Sequence, residues 1–186
     1  FKGTRQLIAR SGYSRQGGFE IYLEGGHLGG DLWDMIWEAG QEYNISPGCP
    51  NLIERIEGGL LSYGNEMTRA NNPLELGLEK YCSLDGTVEY IGREALENIA
   101  KKGPDRKIYG VLFDAPSCPT CSKPWQVKNE GMVVGQITSG IYSPRLKENV
   151  GVGLIDKGYW TVGLEVSVTL PDGQIRGGQL SNLPFA

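Results

Sequence analysis

Histidine is almost missing from this sequence of 186 residues; the single one is His27. A Ser/His/Asp triad would have to be assembled around that side chain. It lies in the glycine-rich stretch Glu24-Gly25-Gly26-His27-Leu28-Gly29-Gly30, with no nucleophile-elbow sequence beside it, and reads as a surface loop residue. Histidine-rich metal sites are excluded on the same ground. Cysteine is scarce as well, at four residues. Cys118-Pro119-Thr120-Cys121 has redox or zinc spacing, but Cys49 and Cys82 stand too far apart to supply a second C-x-x-C. Ser122-Lys123-Pro124 is also poor sequence for the helix that follows a thioredoxin-type pair. The pair is therefore read as reduced loop thiols with no metal, a zinc clip or crosslink being the lesser alternative. Positive charge is not in excess, with 18 Lys+Arg against 22 Asp+Glu, which argues against a nucleic-acid partner. No apolar run approaches the ~20 residues of a membrane-spanning helix. Neither a G-x-x-x-x-G-K-[ST] phosphate loop nor a dinucleotide-type G-x-G-x-x-G is present. No charged-then-apolar leader opens the chain, so a cytoplasmic location is expected. The chain opens on Phe1, is strand-like from Gln6 to Arg10, and reads as beginning inside a domain.

What is abundant is glycine: 28 residues, about twice ordinary usage, alongside 10 prolines. Apolar content of 39% in periodic stretches argues against disorder. Phe19-Glu20-Ile21-Tyr22-Leu23 alternates as a half-buried strand does. A helix follows, with Asp31 as its expected cap. Leu32, Ile36 and Ala39 repeat at helical spacing, as do Trp33 and Trp37, whose indoles are assigned to the core in preference to a stacking platform. Pro50-Asn51 opens a second helix through Leu52, Ile53 and Ile56, stopped by Gly58-Gly59. Arg93 to Lys102 forms a third, ended by Gly103-Pro104. Beyond it the pattern changes to short apolar runs at 107–113, 125–127, 132–137, 150–155 and 164–170, separated by turn signals, as in an all-β sandwich or barrel. The expected division is 1–103 and 104–186.

One constellation carries chemistry. Gly12-Tyr13-Ser14-Arg15-Gln16-Gly17-Gly18-Phe19-Glu20 is a glycine-broken loop running into a strand, and Glu20 and Tyr22, two apart, project from one strand face. A carboxylate there can accept two adjacent N–H groups of an amino-pyrimidinone edge as a bidentate pair. A solvated strand face is the alternative.

The chain resembles the folate-dependent aminomethyltransferase family, which includes the T-protein of the glycine cleavage system. The resemblance rests on Gly12-Tyr13-Ser14 through Gly18-Phe19-Glu20, Leu32-Trp33, Arg55-Ile56-Glu57-Gly58-Gly59-Leu60, Tyr63-Gly64-Asn65 and Pro73-Leu74-Glu75. It continues through Ile91-Gly92-Arg93-Glu94-Ala95-Leu96, Ser143-Pro144-Arg145-Leu146-Lys147, Asn149-Val150-Gly151 and Leu183-Pro184-Phe185. Within the family, Gln16-Gly17-Gly18-Phe19-Glu20-Ile21-Tyr22, Trp33-Asp34, Trp37-Glu38-Ala39-Gly40-Gln41-Glu42 and Glu79-Lys80-Tyr81 look like the dimethylsulfoniopropionate demethylase branch. Asn51 and Lys80 stand where T-proteins carry arginine and tryptophan, and Tyr13 stands where the demethylase branch carries tryptophan.

The resemblance implies an α+β chain: the C-terminal part of an incomplete folate-binding α/β domain, then a C-terminal β-barrel. It implies tetrahydrofolate as cofactor, with Glu20 on the pterin ring. The function implied is methyl transfer from a sulfonium or methylamine donor to tetrahydrofolate, with Tyr13 and Tyr22 as cation–π or hydrogen-bonding partners of the donor. Arg145 and Lys147 fall in a barrel loop that faces the folate domain in this family, which makes Arg145 a contact for folate or donor. Arg55 is either a ligand for a tail carboxylate or a structural ion-pair partner. The catalytic residues, with an acidic residue near the folate N5, are expected in an N-terminal half absent from this chain, so that half or a companion polypeptide is an implied partner, and a homodimer is a further expectation. The competing readings are a T-protein-type aminomethyltransferase working with a lipoylated carrier, a non-catalytic folate-binding relative acting in iron–sulfur cluster assembly, and a ligand-free barrel module. Nothing in the chain resembles the defining loop of the iron–sulfur relatives.

Overall fold

In the computed structural model, residues 1–13, 17–49 and 51–185 are described. Ser14, Arg15 and Gln16 of the glycine loop and Pro50 at the expected helix start lie outside them. The chain divides into two compact units, 1–51 and 52–186.

In the first unit, β1 (Leu7–Ala9) and β2 (Glu20–Tyr22) form an antiparallel ribbon with Leu7 opposite Tyr22 and Ala9 opposite Glu20. A 3₁₀ turn at Gly26–Leu28 leads into α1 (Gly29–Gly40). The helix begins before Asp31, and Leu28 occupies the cap position with no side-chain hydrogen bond. Asp31 thus acts in the first turn, where its charge suits the positive end of the helix and pairs with Lys2. Asn44, left-handed at φ 55°, ends the 3₁₀ turn Gln41–Tyr43 and folds Ile45 back so that its amide bonds to Gly40 O at 3.1 Å. A Cβ on Gly40 would lie 2.6 Å from the Ile45 side chain, so this reversal requires glycine.

The expected core position of Trp33 and Trp37 is not what the structure shows. Their rings stack 6.5 Å apart and nearly parallel, but they are 58% and 38% exposed. No described residue of the first unit is buried. The physical reason is the lack of an opposing layer: a ribbon of three-residue strands and one helix cannot close over an apolar face.

The second unit starts with α2 (Leu52–Glu57), whose carbonyls at Glu54, Ile56 and Arg55 are taken by the amides of Gly58, Gly59 and Leu60 at the expected stop. Later comes α3 (Arg93–Lys102), between left-handed Gly92 and Gly103. The barrel follows: β3 (Arg106–Phe113), β4 (Trp125–Asn129), β5 (Met132–Ser143), β6 (Glu148–Asp156), β7 (Glu165–Thr169) and β8 (Ile175–Ser181). It is closed and antiparallel in the order β3-β6-β5-β4-β7-β8. Closure removes sheet edges. The interior is filled by Val111, Phe113, Trp125, Val127, Ile137, Ile155, Val168 and Leu180. A second core lies outside the wall, where Ile56 of α2, Val150, Val152 and Phe185 pack together. Burial on both sides explains why β6 is buried at every position from Asn149 to Ile155. Within it, a Cβ on Gly153 would stand 2.0 Å from Gln136 O, so the β5–β6 approach at the Ile137/Ser139 bulge is open only to glycine. No described helix is long and apolar enough to cross a membrane.

Candidate functional site

β2 is regular, so Glu20 and Tyr22 do share a face, as the spacing predicts. Both are exposed, Tyr22 by 56%, and the ring of Tyr13, in the loop after β1, is 45% exposed. The half-buried strand expected at 19–23 is thus a solvated one, exposed from Glu20 to Tyr22, because no described residue buries either face of β2. The Ser11 hydroxyl donates to Glu20 Oε2, and no second donor among the described residues reaches the carboxylate. Leu7, Ile8 and Phe19 are exposed by 60–67%, so apolar side chains of this region are open to water as well. Along α1, Trp33, Ile36 and Trp37 line a cavity of about 130 Å³ with Ile45 and Pro47.

Arg145 belongs to the second unit, in the turn between β5 and β6. Its Nε donates to Glu57 Oε2 at 2.8 Å, and its side chain is 55% exposed. The carboxylate of Glu57, the last residue of α2, also accepts from Ser143 Oγ. Sequence reasoning did not single out Glu57. Its position two residues after Arg55 was the available signal, but its partners lie more than 80 residues away.

Arg55 resolves in favour of the structural alternative. It is 5% exposed; Nη1 donates to Glu66 Oε2 at 3.0 Å and to Leu60 O at 2.7 Å, and Nη2 donates to Ser139 Oγ. Glu66, 1% exposed, also accepts from the Ser62 amide at 2.8 Å and Thr138 Oγ1 at 3.2 Å. Every charge is met inside this network, which fastens α2 to β5. Nη1 and Nη2 of Arg55 are both engaged in it.

None of the four cysteines is in a disulfide among the described residues. Burial pushes the thiols of Cys118 and Cys121 up to about 11, so both are protonated at neutral pH and poor nucleophiles or metal ligands. Among the described residues no group of three His, Cys, Asp or Glu side chains is arranged to hold a metal ion. His27 is exposed.

Two family models match in sequence order: the GCVT N-terminal domain over residues 1–86 and the glycine cleavage T-protein C-terminal barrel domain over residues 106–186. The chain is 46% identical to dimethylsulfoniopropionate demethylase DmdA of Ruegeria pomeroyi over 173 residues, which are 93% of this chain and 47% of that protein. It is 34% identical to an aminomethyltransferase of Thermoanaerobacter pseudethanolicus over 171 residues (90% and 45%), and 35% identical to one of Symbiobacterium thermophilum over 182 residues (96% and 47%). The chain therefore spans about half the length of the curated relatives it matches. The crystal structure of glycine cleavage system aminomethyltransferase T from Bartonella henselae superposes with a TM-score of 0.78, at 24% identity, over 97% of this chain and 50% of that one. That likeness extends to the fold, including the closed barrel. With the one model matched on the ribbon-and-helix region that carries Glu20 and the other on the barrel that carries Arg145, the chain belongs to the glycine cleavage T-protein family.

Proposed function

We propose that the protein carrying this chain is a tetrahydrofolate-dependent demethylase of the cytoplasm, moving a methyl group from a sulfonium such as dimethylsulfoniopropionate, or from a methylamine, to tetrahydrofolate. The observation that carries the reading is the identity gap: 46% to the demethylase against 34–35% to the aminomethyltransferases over comparable lengths. Four cysteines with no disulfide among the described residues suit a reducing compartment. In this proposal residues 1–103 are part of the folate-binding domain and residues 104–186 the barrel.

The residues fit the cofactor. Among the described residues only Ser11 donates to the Glu20 carboxylate, at Oε2, which leaves Oε1 and a lone pair on Oε2 for two neighbouring N–H donors of a pteridine ring. Tetrahydrofolate, when bound, supplies N5 as the methyl acceptor. Tyr13 and Tyr22 present exposed aromatic faces that attract a cationic donor. The positive charge of a sulfonium is consumed as its methyl leaves, so the chain's task is to align donor and acceptor in a dry space. Water must then be excluded from Glu20. The exposed apolar side chains of Leu7, Ile8, Phe19, Trp33 and Tyr43 support the reading that further polypeptide, a missing half or a companion chain, covers this unit and brings the acidic residue near N5, whose carboxylate can accept the proton that N5 releases. The second reading, an aminomethyltransferase acting with a lipoylated carrier, is favoured by the names of the relatives at 34–35%.

The test is an assay of the full-length protein with tetrahydrofolate and a panel of sulfonium and methylamine donors. Formation of 5-methyltetrahydrofolate supports the demethylase; formation of the methylene form only with the carrier overturns it in favour of the second reading.

A further inference from the structure

The pairing of β1 with β2 decides which side chains can meet on the ribbon. Residues directly opposite in an antiparallel pair share a face. Ala9 stands opposite Glu20 and Leu7 opposite Tyr22, so these four lie on one face, with Ile8 and Ile21 on the other. Past Ala9 the chain bends at Arg10, whose guanidinium lies over the Phe19 ring, 5.9 Å from its centroid. Ser11 comes next, two residues beyond the end of β1, and its hydroxyl reaches across to Glu20 Oε2. The contact joins the chain leaving β1 to the first residue of β2, so it depends on the strand register and not on local sequence.

Both residues are exposed, and an isolated surface hydrogen bond contributes little to folding. What it supplies is direction. A glutamate on an open strand turns about three side-chain bonds, and a ligand that needs one orientation must otherwise remove that freedom on binding. Two adjacent N–H groups of a planar ring need both carboxylate oxygens brought into line with the ring. A hydroxyl has one proton to give, so Ser11 takes a single lone pair of Oε2 and none of Oε1. Among the described residues, nothing lies within 4 Å of a Cβ built on Gly17 or Gly18, so the chain entering β2 leaves space beside the pair. Holding the carboxylate beforehand removes part of the ordering cost of binding.

We propose that Ser11 is a positioning residue for Glu20, its hydroxyl holding the carboxylate in the orientation that accepts the two adjacent N–H groups of an amino-pyrimidinone ring. The proposal rests on the folate-transfer reading. Ser11 acts through Glu20 and touches no ligand.

The experiment measures equilibrium binding of two probes to the full-length protein: tetrahydrofolate and its 2-desamino analogue, which lacks the exocyclic N–H donor. The wild type is expected to prefer the amino form roughly tenfold to hundredfold, the range for a hydrogen bond to a charged group. Ser11→Ala narrows that preference by roughly threefold to tenfold, the effect of leaving one side chain to be ordered on binding. Ser11→Thr keeps the hydroxyl and restores the preference. In a Glu20→Ala background, Ser11→Ala adds nothing. A merely structural serine gives a different pattern: its loss weakens both probes equally, leaves the preference intact and still acts without Glu20. That pattern overturns the proposal and leaves the folate reading standing. A wild type that binds both probes without preference removes Glu20 from the ring edge, and the role of Ser11 with it, while folate binding itself stands. Failure of the wild type to bind either probe overturns the folate reading. Thermal melts of the Ser11 variants control for folding.

Discussion

The Arg55–Glu66 pair offers a test of where the second unit gets its stability. Side chains 6% and 0% exposed exchange a 3.0 Å ion pair, and four further groups (Leu60 O, Ser139 Oγ, the Ser62 amide and Thr138 Oγ1) complete their coordination. Glu66→Leu removes the carboxylate and leaves a buried guanidinium with two neutral acceptors. Breaking a buried pair from one side costs about 3–5 kcal/mol, because the remaining charge is neither solvated nor paired. Arg55→Met strands the carboxylate and is expected to cost a similar amount. The double variant strands no charge. What it loses is the pairing of the four neutral groups, some of which reach water or each other after relaxation, so its cost is set well below the sum of the singles. The expected coupling is about 2–3 kcal/mol, at the upper end for contacting residues. Urea unfolding followed by tryptophan fluorescence measures all four proteins through their midpoints at constant slope. A loss of 3–5 kcal/mol is about a fifth or more of the stability of an ordinary domain, which runs to about 5–15 kcal/mol, so the single variants populate unfolded forms at milder denaturant than the wild type. Single costs below about 1 kcal/mol, or additive costs, would refute the picture of a keystone pair fastening α2 to β5.

Three further outcomes follow from other parts of the molecule. Burial holds Cys118 and Cys121 at about 11 against an ordinary value of 9.0, so the unfolded chain releases these protons first as the pH rises. Their contribution is complete below pH 9 and is lost toward pH 11, at up to ~1.4 kcal/mol per pH unit for each thiol. The Cys118→Ala/Cys121→Ala protein should show a flatter decline over that window in denaturant titrations, and an unchanged slope counts against the thiols as its source. Gly153→Ala places a methyl 2.0 Å from Gln136 O, and a backbone shift at the bulge is expected to cost about 3 kcal/mol or more by the same unfolding assay. Glu20→Ala in the full-length protein is expected to weaken folate binding roughly tenfold to hundredfold in a calorimetric titration, the worth of a charged acceptor; unchanged affinity removes Glu20 from the site.

How far the sequence could be read depended on whether a feature was local. The β3, β4, β6 and β7 runs were legible because apolar residues alternate between turn signals, and α2 and α3 because glycines mark their ends. β8 was not, since Gly177-Gly178 dilutes its strand signal; those glycines answer to a packing demand, a Cβ on Gly178 lying 2.3 Å from Leu112 O. The far half of β5 was hidden by Thr138-Ser139-Gly140 at the bulge. The partner of Arg55 on β5, 84 residues away, had no local signal at all. For α1 the spacing correctly gave an apolar face with Trp33 and Trp37 on it, but periodicity says nothing of what covers a face, and here nothing does. The same limit applies at Glu20: alternation put it beside Tyr22, while burial depends on polypeptide that this ribbon does not contain.

These two kinds of legibility separate stability from the proposed chemistry. Among the described residues the buried ones are confined to the second unit, whereas Tyr13, Glu20 and Tyr22 sit on the first. An exposed carboxylate whose one partner among the described residues is a serine contributes little to folding, so Glu20→Ala is expected to change the unfolding free energy of this chain by less than about 0.5 kcal/mol. The full-length protein gives the contrast. If further polypeptide closes over the ribbon, the same substitution there removes a buried acceptor and its ligand together, and added folate should raise the melting temperature of the wild type but not of the variant. Equal stabilisation of both by folate would place the cofactor elsewhere, on residues that this ribbon does not supply.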